Sequence, residues 1–118
     1  MQSGSNSNRN GLLLDDNIAF RYYRNMIKSF ANKSTQRIWE GQQVKGFSVE
    51  VQTVALRKMQ MIHAATRLES LRIPPGNRLK PLQGKRSGEH SIRVNDQFRI
   101  CFKWDEGNAL DAVLEDYH

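Results

Sequence analysis

The stretch Phe98-Arg99-Ile100-Cys101-Phe102-Lys103-Trp104 decides the fold of this 118-residue chain. Its apolar residues alternate with polar ones, and this period of two is typical of a β-strand with one buried face. The segment from His90 to Val94 alternates in the same way, and Ala109 to Tyr117 reads as a last strand. Because turn residues separate the three segments, we expect antiparallel strands joined by short loops.

Side-chain parity predicts the register of the first hairpin. If the apolar residues share one face, Ile92 lies opposite Ile100, and Arg93 lies opposite Arg99 on the other face. This pairing requires a loop with an odd number of residues, such as three, around Asp96. The hairpin is therefore expected to present two neighbouring arginines on its polar face.

The same parity predicts the register of the second hairpin around the turn at residues 105–108. It opposes Trp104 to Leu110, Phe102 to Ala112, Ile100 to Leu114, Lys103 to Asp111 and Arg99 to Glu115. The last two pairs join opposite charges across the strands, which stabilises a sheet by at most ~1 kcal/mol each. A slip by one residue would bury these charges, so the pattern specifies the register strongly.

Helical segments precede the sheet. Met26 to Phe30 alternates as a short strand, and Ser34 is expected to cap a short helix from Thr35 to Glu40. The clearest helix runs from Ser48 to Leu68, with an apolar stripe at helical spacing. The stripe consists of Val51, Val54, Ala55, Met59, Ile62 and Ala65.

The resulting fold class is α+β. We expect the N-terminal strand and two helices to cover the apolar face of an antiparallel sheet, while a polar, mostly basic face stays open. The segment Leu79 to Leu82 is a candidate strand, which Pro81 confines to a sheet edge or to a first-residue position, because proline lacks an N–H for an inner ladder. Residues 1–25 contain the polar, low-complexity run Ser3 to Gly11 and read as a flexible or upstream extension. Residues 26–118 form the single folded domain.

The distribution of charge indicates an anionic partner. The chain has a formal net charge of +6 and a pI near 9.8. Residues 72–104 hold eight basic and two acidic side chains, whereas residues 105–118 hold five acidic side chains and no Lys or Arg. A basic stretch followed by an acidic end suggests a polyanion such as nucleic acid, or an acidic protein.

Several function classes are disfavoured by the composition. The sequence has no apolar run long enough for a transmembrane helix and no signal peptide, so we expect no membrane association. Cys101 is the single cysteine, which excludes an internal disulfide and fits a reducing cytoplasm. The three histidines have no ligand at metal-binding spacing, and the sequence carries no phosphate-binding glycine loop, so no metal or cofactor is expected.

Several segments occur in the same order as in HigB-type toxins of the RelE superfamily. These are Met26 to Phe30, Arg78 to Gly88 with its Leu-x-Pro-Leu-x-Gly-x-Arg-x-Gly pattern, Ser91 to Val94, Phe98 to Phe102, and Glu115-Asp116-Tyr117-His118. The chain thus resembles this family from Met26 to His118. The resemblance implies a RelE-like fold with its active site on the sheet face away from the helices.

The resemblance also implies an activity and partners. A toxin of this kind is a ribosome-dependent mRNA endonuclease that acts in the A site without a metal. It is held inactive by a HigA-type antitoxin with a helix-turn-helix, and the complex represses its own operon. DNA would therefore be contacted only through the antitoxin.

The family's functional residues match positions of this sequence. His118 corresponds to the acid/base residue, with Asp116 supporting the proton transfer, and Arg99 to the arginine that stabilises the scissile phosphate. Tyr117 corresponds to the aromatic residue that orients a message base. Further candidate RNA contacts on the basic segment are Lys85, Arg86 and Arg93.

Two positions depart from the family. Lys80 stands where many relatives have histidine, and Gln83 where they have lysine. Lys80 keeps a charge that can neutralise phosphate, but a lysine is a poor general base at neutral pH. We therefore keep Lys80 as a candidate catalytic residue. The alternative is a catalytically weakened RNA- or ribosome-binding relative that acts mainly through its antitoxin complex.

Overall fold

The computed structural model describes residues 26–117; the N-terminal extension 1–25 and the terminal His118 lie outside the described residues. The elements are α1 (Lys33–Trp39), α2 (Val49–Ala64), β1 (Lys80–Pro81), β2 (Glu89–Arg93), β3 (Phe98–Asp105) and β4 (Asn108–Asp116). The four strands form one antiparallel sheet in the order β1-β2-β3-β4. The predicted α+β class is confirmed, and β1 lies at the sheet edge as Pro81 requires.

The register of the β2–β3 hairpin is the predicted one. Ile92 lies opposite Ile100 and Arg93 opposite Arg99. Beyond this pair the Val94 N–H donates to the Phe98 carbonyl at 2.9 Å, which leaves a loop of three residues, 95–97. The loop is closed by Asn95, whose Oδ1 accepts from the backbone N–H groups of residues 97 and 98 at 2.8 and 2.7 Å. A short side chain that satisfies two loop donors fixes the turn and, with it, the pairing of the two arginines.

The register of the β3–β4 hairpin is right only near the end of β4. The pairs are Arg99 with Glu115, Ile100 with Leu114, Cys101 with Val113, Lys103 with Leu110, and Trp104 with Ala109. Phe102 therefore faces two residues of β4, and the predicted pairing of Trp104 with Leu110 is wrong by one. The extra residue is Asp111, which adopts a left-handed φ of 54°. A bulge of this kind cannot be read from alternation alone, because it changes the parity within one strand.

The bulge is tied to the N-terminal segment. Residues 26–30 run parallel to β4 but form two isolated bridges, Ile27 with Ala109 and Phe30 with Ala112, rather than a continuous strand. Between the bridges, the Asp111 N–H donates to Ser29 Oγ at 2.9 Å, and Ser29 Oγ donates to Asp111 Oδ1 at 3.2 Å. The serine side chain thus replaces the ladder hydrogen bond that the bulge interrupts.

The caps of the helices differ in how well sequence predicts them. Ser48 caps α2 as expected, since its Oγ accepts from the Val51 N–H at 3.1 Å. Helix α1 begins earlier than predicted, and its cap is Asn32 rather than Ser34. The Asn32 side chain accepts from the Thr35 N–H at 2.9 Å, because Asn32 has the extended backbone that a cap needs.

The core lies between the two helices and one face of the sheet. Its fully buried members include Ala55, Met59 and Ile62 of α2 and Ile92, Ile100, Phe102, Ala109 and Ala112 of the sheet. No helix within residues 26–117 has the length and apolar character needed to cross a bilayer. The opposite sheet face is polar but not open throughout, because Ser91 and Cys101 are completely buried there. Arg86, in the loop between β1 and β2, donates hydrogen bonds to Glu89 and Glu115, which lie on this face.

Candidate active site

Arg99 lies on the polar sheet face and is only 8% exposed. Its Nε donates to Ser91 Oγ at 2.7 Å, and its Nη2 donates to the carbonyl oxygens of Ser91 and Arg78 at 3.3 and 2.5 Å. None of the ion pairs between described residues involves Arg99. Burial lowers the pKa of Arg99 from its ordinary value, yet a guanidinium stays charged at neutral pH. The protein thus holds this cation in place with neutral acceptors.

The ring of Tyr117 is flanked by two cations. The Lys80 Nζ lies 4.5 Å from the ring centroid, and the Arg99 Cζ lies 5.8 Å from it. The Tyr117 N–H donates to the Gln97 carbonyl at 3.0 Å, so the backbone is held just past the end of β4. A half-buried aromatic ring beside two positive charges is suited to stack on a base whose phosphates those charges attract.

These side chains line a shallow cavity of about 220 Å³, which we call the cationic cleft. Its lining residues are Arg78, Lys80, Arg93, Asn95, Asp96, Arg99 and Tyr117. Arg93 donates to Asp96 Oδ1 at 2.6 Å, and this contact lowers the pKa of Asp96. The remaining cations of the cleft outnumber its single carboxylate, so its field favours an anion.

Arg86 is paired with two carboxylates beside the cleft. Its guanidinium donates to Glu115 at 2.7 and 2.8 Å and to Glu89 at 2.8 and 3.2 Å. Hydrogen bonds to Glu115 and then Glu89 raise the pKa of Arg86, and the same contact with Arg86 lowers the pKa of Glu115. We call these three residues the Arg86 cluster. The expected ion pair between Arg99 and Glu115 is therefore wrong, although their register is right.

The other predicted site residues lie at different places. Lys85 is exposed on the turn beside Arg86. Asp116 is paired with Phe98, its Oδ2 accepts from the Gln97 side chain at 3.0 Å, and it does not belong to the residues that line the cleft. The structure therefore brings Lys80, Arg93, Arg99 and Tyr117 together and places Asp116 at the neighbouring loop.

Sequence reasoning missed Arg78, Asn95 and Asp96, which line the cleft, and the two groups that hold Arg99, Ser91 and the Arg78 carbonyl. Ser91 has the parity of Arg93 and lies on the polar face, so alternation alone was a sufficient signal for it. The carbonyl of Arg78 carries no side-chain signal, because any residue supplies a backbone oxygen. Within residues 26–117, no group of three or more His, Cys, Asp or Glu side chains is placed to hold a metal ion.

Burial also distinguishes Cys101 from a reactive thiol. Desolvation, followed by the charge of Glu115, raises the pKa of Cys101 to about 12. At neutral pH the thiol is therefore protonated and a poor nucleophile. We assign it to packing beneath the Arg86 cluster.

Comparison with known proteins places the chain in a family. Residues 28–118 match the model of the HigB-like toxins, described as the RelE-like toxin of the type II toxin–antitoxin system HigB. Toxin HigB-1 of Vibrio cholerae is 43% identical over 65 residues, covering 55% of this chain and 68% of that protein. Endoribonuclease HigB of Proteus vulgaris is 34% identical over 97 residues, covering 79% of this chain and all of that protein. The chain therefore belongs to the HigB-like toxins of type II toxin–antitoxin systems, whose partner is an antitoxin.

Proposed function

We propose that this toxin is an endoribonuclease that cleaves mRNA in the ribosomal A site and needs no metal ion. The observation that carries the proposal is the cationic cleft, where Lys80 and Arg99 flank the ring of Tyr117. A relative that is named an endoribonuclease aligns over its whole length with this chain, which supports the same activity here. The requirement for the ribosome fits a site with few acid/base groups, because the ribosome would supply the positioning of the message.

The chemistry assigned to the cleft is attack of a 2′-hydroxyl on the adjacent phosphorus. A bond forms between O2′ and phosphorus, the bond from phosphorus to O5′ breaks, and a 2′,3′-cyclic phosphate results. The hydroxyl proton goes to a base, and an acid protonates O5′. We assign the proton transfers to His118, since an ordinary histidine with a pKa of ~6.5 can serve as either group. Asp116 supports that transfer.

Cations stabilise the charge that develops on the phosphorane. Arg99 has the fixed orientation that such stabilisation requires, because three hydrogen bonds hold Nε and Nη2. Lys80 neutralises the phosphate from the other side of Tyr117, whose ring stacks on a message base. The remaining candidates for phosphate contacts are Lys85, Arg93 and Arg86. Arg86 would contact phosphate in addition to its two carboxylate partners.

The proposed biological setting follows from the same assignment. Ribosome-bound mRNA as the substrate places the reaction in the cytoplasm, and residues 26–118 form the functional unit. The antitoxin is proposed to be a HigA-type protein with a helix-turn-helix, which would contact operator DNA itself. A neighbouring gene that encodes a small helix-turn-helix protein would support the assignment of that partner.

Primer extension tests the activity. Messages translated by ribosomes with the protein present should show new 5′ ends, whereas the same RNA without ribosomes should stay intact. Arg99→Ala should give no new ends, with Lys45→Met, an exposed lysine outside the cleft, as the matched control. Equal cutting of free RNA would contradict the ribosome requirement.

Lys80 motivates one alternative, a weakened relative that binds RNA or ribosomes without cutting. It predicts inhibited translation with no new 5′ ends in the same experiment. Replacing Lys80→His would then restore cleavage, since histidine is the better proton carrier.

A further inference from the structure

A polar network is buried where helix α2 meets the turn before β1. Lys58 is 8% exposed, and its Nζ donates to Asn77 Oδ1 at 2.5 Å. Asn77 is completely buried, and its Nδ2 donates to the Leu71 carbonyl at 3.1 Å. No ion pair between described residues includes Lys58, so an amide oxygen is its hydrogen-bond acceptor. Burying an ammonium group beside a neutral partner is costly, and apolar packing would stabilise the core better.

The network ends at the residue that holds Arg99. The Asn77 N–H donates to the Pro74 carbonyl at 2.9 Å, and the Arg78 N–H donates to the Pro75 carbonyl at 3.0 Å. Arg78 then adopts a left-handed φ of 47°, which turns the chain. Its carbonyl oxygen accepts from Arg99 Nη2. Asn77 precedes Arg78 directly, so the side chain held by Lys58 and the Leu71 carbonyl belongs to the residue next to the one that supplies this acceptor.

Arg99 thus has two anchors of different origin. The first is Ser91 on the neighbouring strand, which accepts from Nε. The second is the Arg78 carbonyl on the turn, which accepts from Nη2. Ser91 also accepts from Nη2 through its carbonyl oxygen at 3.3 Å, a longer contact than the 2.5 Å bond from Nη2 to the Arg78 carbonyl. The Arg78 carbonyl is therefore the stronger of the two acceptors that determine which way Nη2 faces.

We propose that Asn77, held by Lys58, is a positioning residue that orients the guanidinium of Arg99 toward the scissile phosphate. This inference rests on the proposed function of the cleft. Misplacement of a catalytic group by about 1 Å lowers rates by roughly two orders of magnitude, so a remote anchor of this kind affects turnover. Neither Lys58 nor Asn77 touches the substrate in this proposal.

The double variant Lys58→Met/Asn77→Leu separates positioning from stability. Asn77→Leu alone leaves a buried ammonium without an acceptor, whereas the double variant removes that ammonium as well. The Leu71 carbonyl loses its Nδ2 donor equally in both variants, so their comparison isolates the buried charge. We expect the double variant to be more stable than Asn77→Leu. It should cleave translated mRNA about tenfold or more slowly in single turnover, with half-saturation by ribosomes unchanged. Lys45→Met is the matched control and should behave as the unmodified protein.

A second measurement reports on Arg99 itself. The Nε–H resonance of Arg99 in a ¹⁵N correlation spectrum should shift or broaden in the double variant, because Asn77 no longer holds the Arg78 carbonyl in the direction that orients the guanidinium. An unchanged resonance, or an unchanged cleavage rate, overturns the inference. If the double variant does not fold, Lys58→Met is measured in the same way, since it removes only the contact with Oδ1.

The two proposals fail differently. If the unmodified protein does not cut translated mRNA, the proposed function is wrong, and the resonance of Arg99 still decides whether Asn77 positions it. If the unmodified protein cuts and the double variant cuts equally fast, only the positioning role is wrong.

Discussion

Glu115 lies directly opposite Arg99 in the β3–β4 ladder, but its carboxylate accepts hydrogen bonds from Arg86 at 2.7 and 2.8 Å. The carboxylate nearest in register is thus occupied by another arginine. Arg99 is bound instead by neutral oxygens of Ser91 and Arg78. Since neutral acceptors orient a guanidinium without cancelling its charge, Arg99 stays available to an anionic substrate.

The first prediction concerns the Arg86 cluster. Arg86→Ala leaves Glu115 and Glu89 without their shared donor, so the free energy of unfolding should fall by about 1 kcal/mol, a small value because the guanidinium is partly exposed. Cleavage should fall as well, because Glu115 becomes free to pair with Arg99. Urea unfolding and primer extension measure the two effects. Adding Glu115→Gln to Arg86→Ala should restore part of the lost stability and part of the lost cleavage. A double variant that is no more stable and no more active than Arg86→Ala would contradict the proposed role of Arg86.

Arg99 itself should be required for catalysis. Arg99→Ala should lower the cleavage rate by roughly 10²–10³-fold, the usual effect of removing a group that stabilises the developing charge. Arg99→Lys should restore little of the cleavage rate, because an ammonium cannot bond to both Ser91 and the Arg78 carbonyl as the planar guanidinium does. Circular dichroism checks that the fold is retained. Loss of folded structure in Arg99→Ala would instead assign Arg99 to the stability of the sheet.

Tyr117 should act through its ring rather than its hydroxyl. Tyr117→Phe should retain most activity, while Tyr117→Ala should weaken RNA binding by about 1–3 kcal/mol through lost stacking. The cation–π contact with Lys80 supports this reading, because it depends on the ring face. Titration of ribosome complexes with each variant measures the difference. Equal loss in both variants would show that the hydroxyl is the essential group.

His118 should be needed for proton transfer and not for folding. His118→Ala should abolish cleavage and leave the thermal unfolding midpoint unchanged. His118→Gln is the matched variant that keeps hydrogen bonding but cannot carry a proton. Primer extension with both variants provides the measurement, and toxicity unchanged from the unmodified protein would remove His118 from the mechanism.

Stability should decrease below neutral pH because of His63. Its Nδ1 accepts from the Ile27 N–H at 3.3 Å, which requires an unprotonated nitrogen. Burial lowers the pKa of His63 below the ordinary 6.5, and burial also lowers the pKa of His90. The unfolded chain therefore binds more protons than the folded one, so this stability is complete above about pH 6.5 and is lost as pH falls through the lower folded pKa.

Urea unfolding across this range provides the measurement. The window above about pH 5 excludes Glu115, whose pKa lies below the ordinary 4.5 and whose contribution is lost only in more acidic solution. His63→Gln should reduce the dependence on pH, with the remainder due to His90. A free energy of unfolding that stays constant or rises as the solution is acidified would contradict the prediction.

Much of the fold could be read from alternation and caps. Ile92 and Ile100 pair as parity requires, and Ser48 caps α2, because both features depend on residues near one another in the chain. The bulge at Asp111 could not be predicted in this way. It arises where residues 26–30 run beside β4 and Ser29 binds Asp111, a contact between residues 82 positions apart.

The same distinction between local patterns and contacts of distant residues applies to the candidate site. Parity alone placed Arg93 and Arg99 on the face opposite the helices, since successive side chains of a strand point to opposite sides. Parity also placed Glu115 opposite Arg99, but it could not reveal that Arg86 occupies its carboxylate. Nor could it reveal the Arg78 carbonyl or the Lys58–Asn77 contact, which carry no signal in a pattern of apolar and polar residues.

The sequence by itself determined the α+β class, the strands β2 to β4, the register of the β2–β3 hairpin and the identity of the basic face. Each of these follows from periodicity and local turn chemistry, which act over a few residues. Only the tertiary structure decided which acceptor each arginine has, where β4 bulges, and how the turn at Asn77 reaches Arg99. Those choices depend on polar groups that are distant in the chain and that burial forces to find partners with one another.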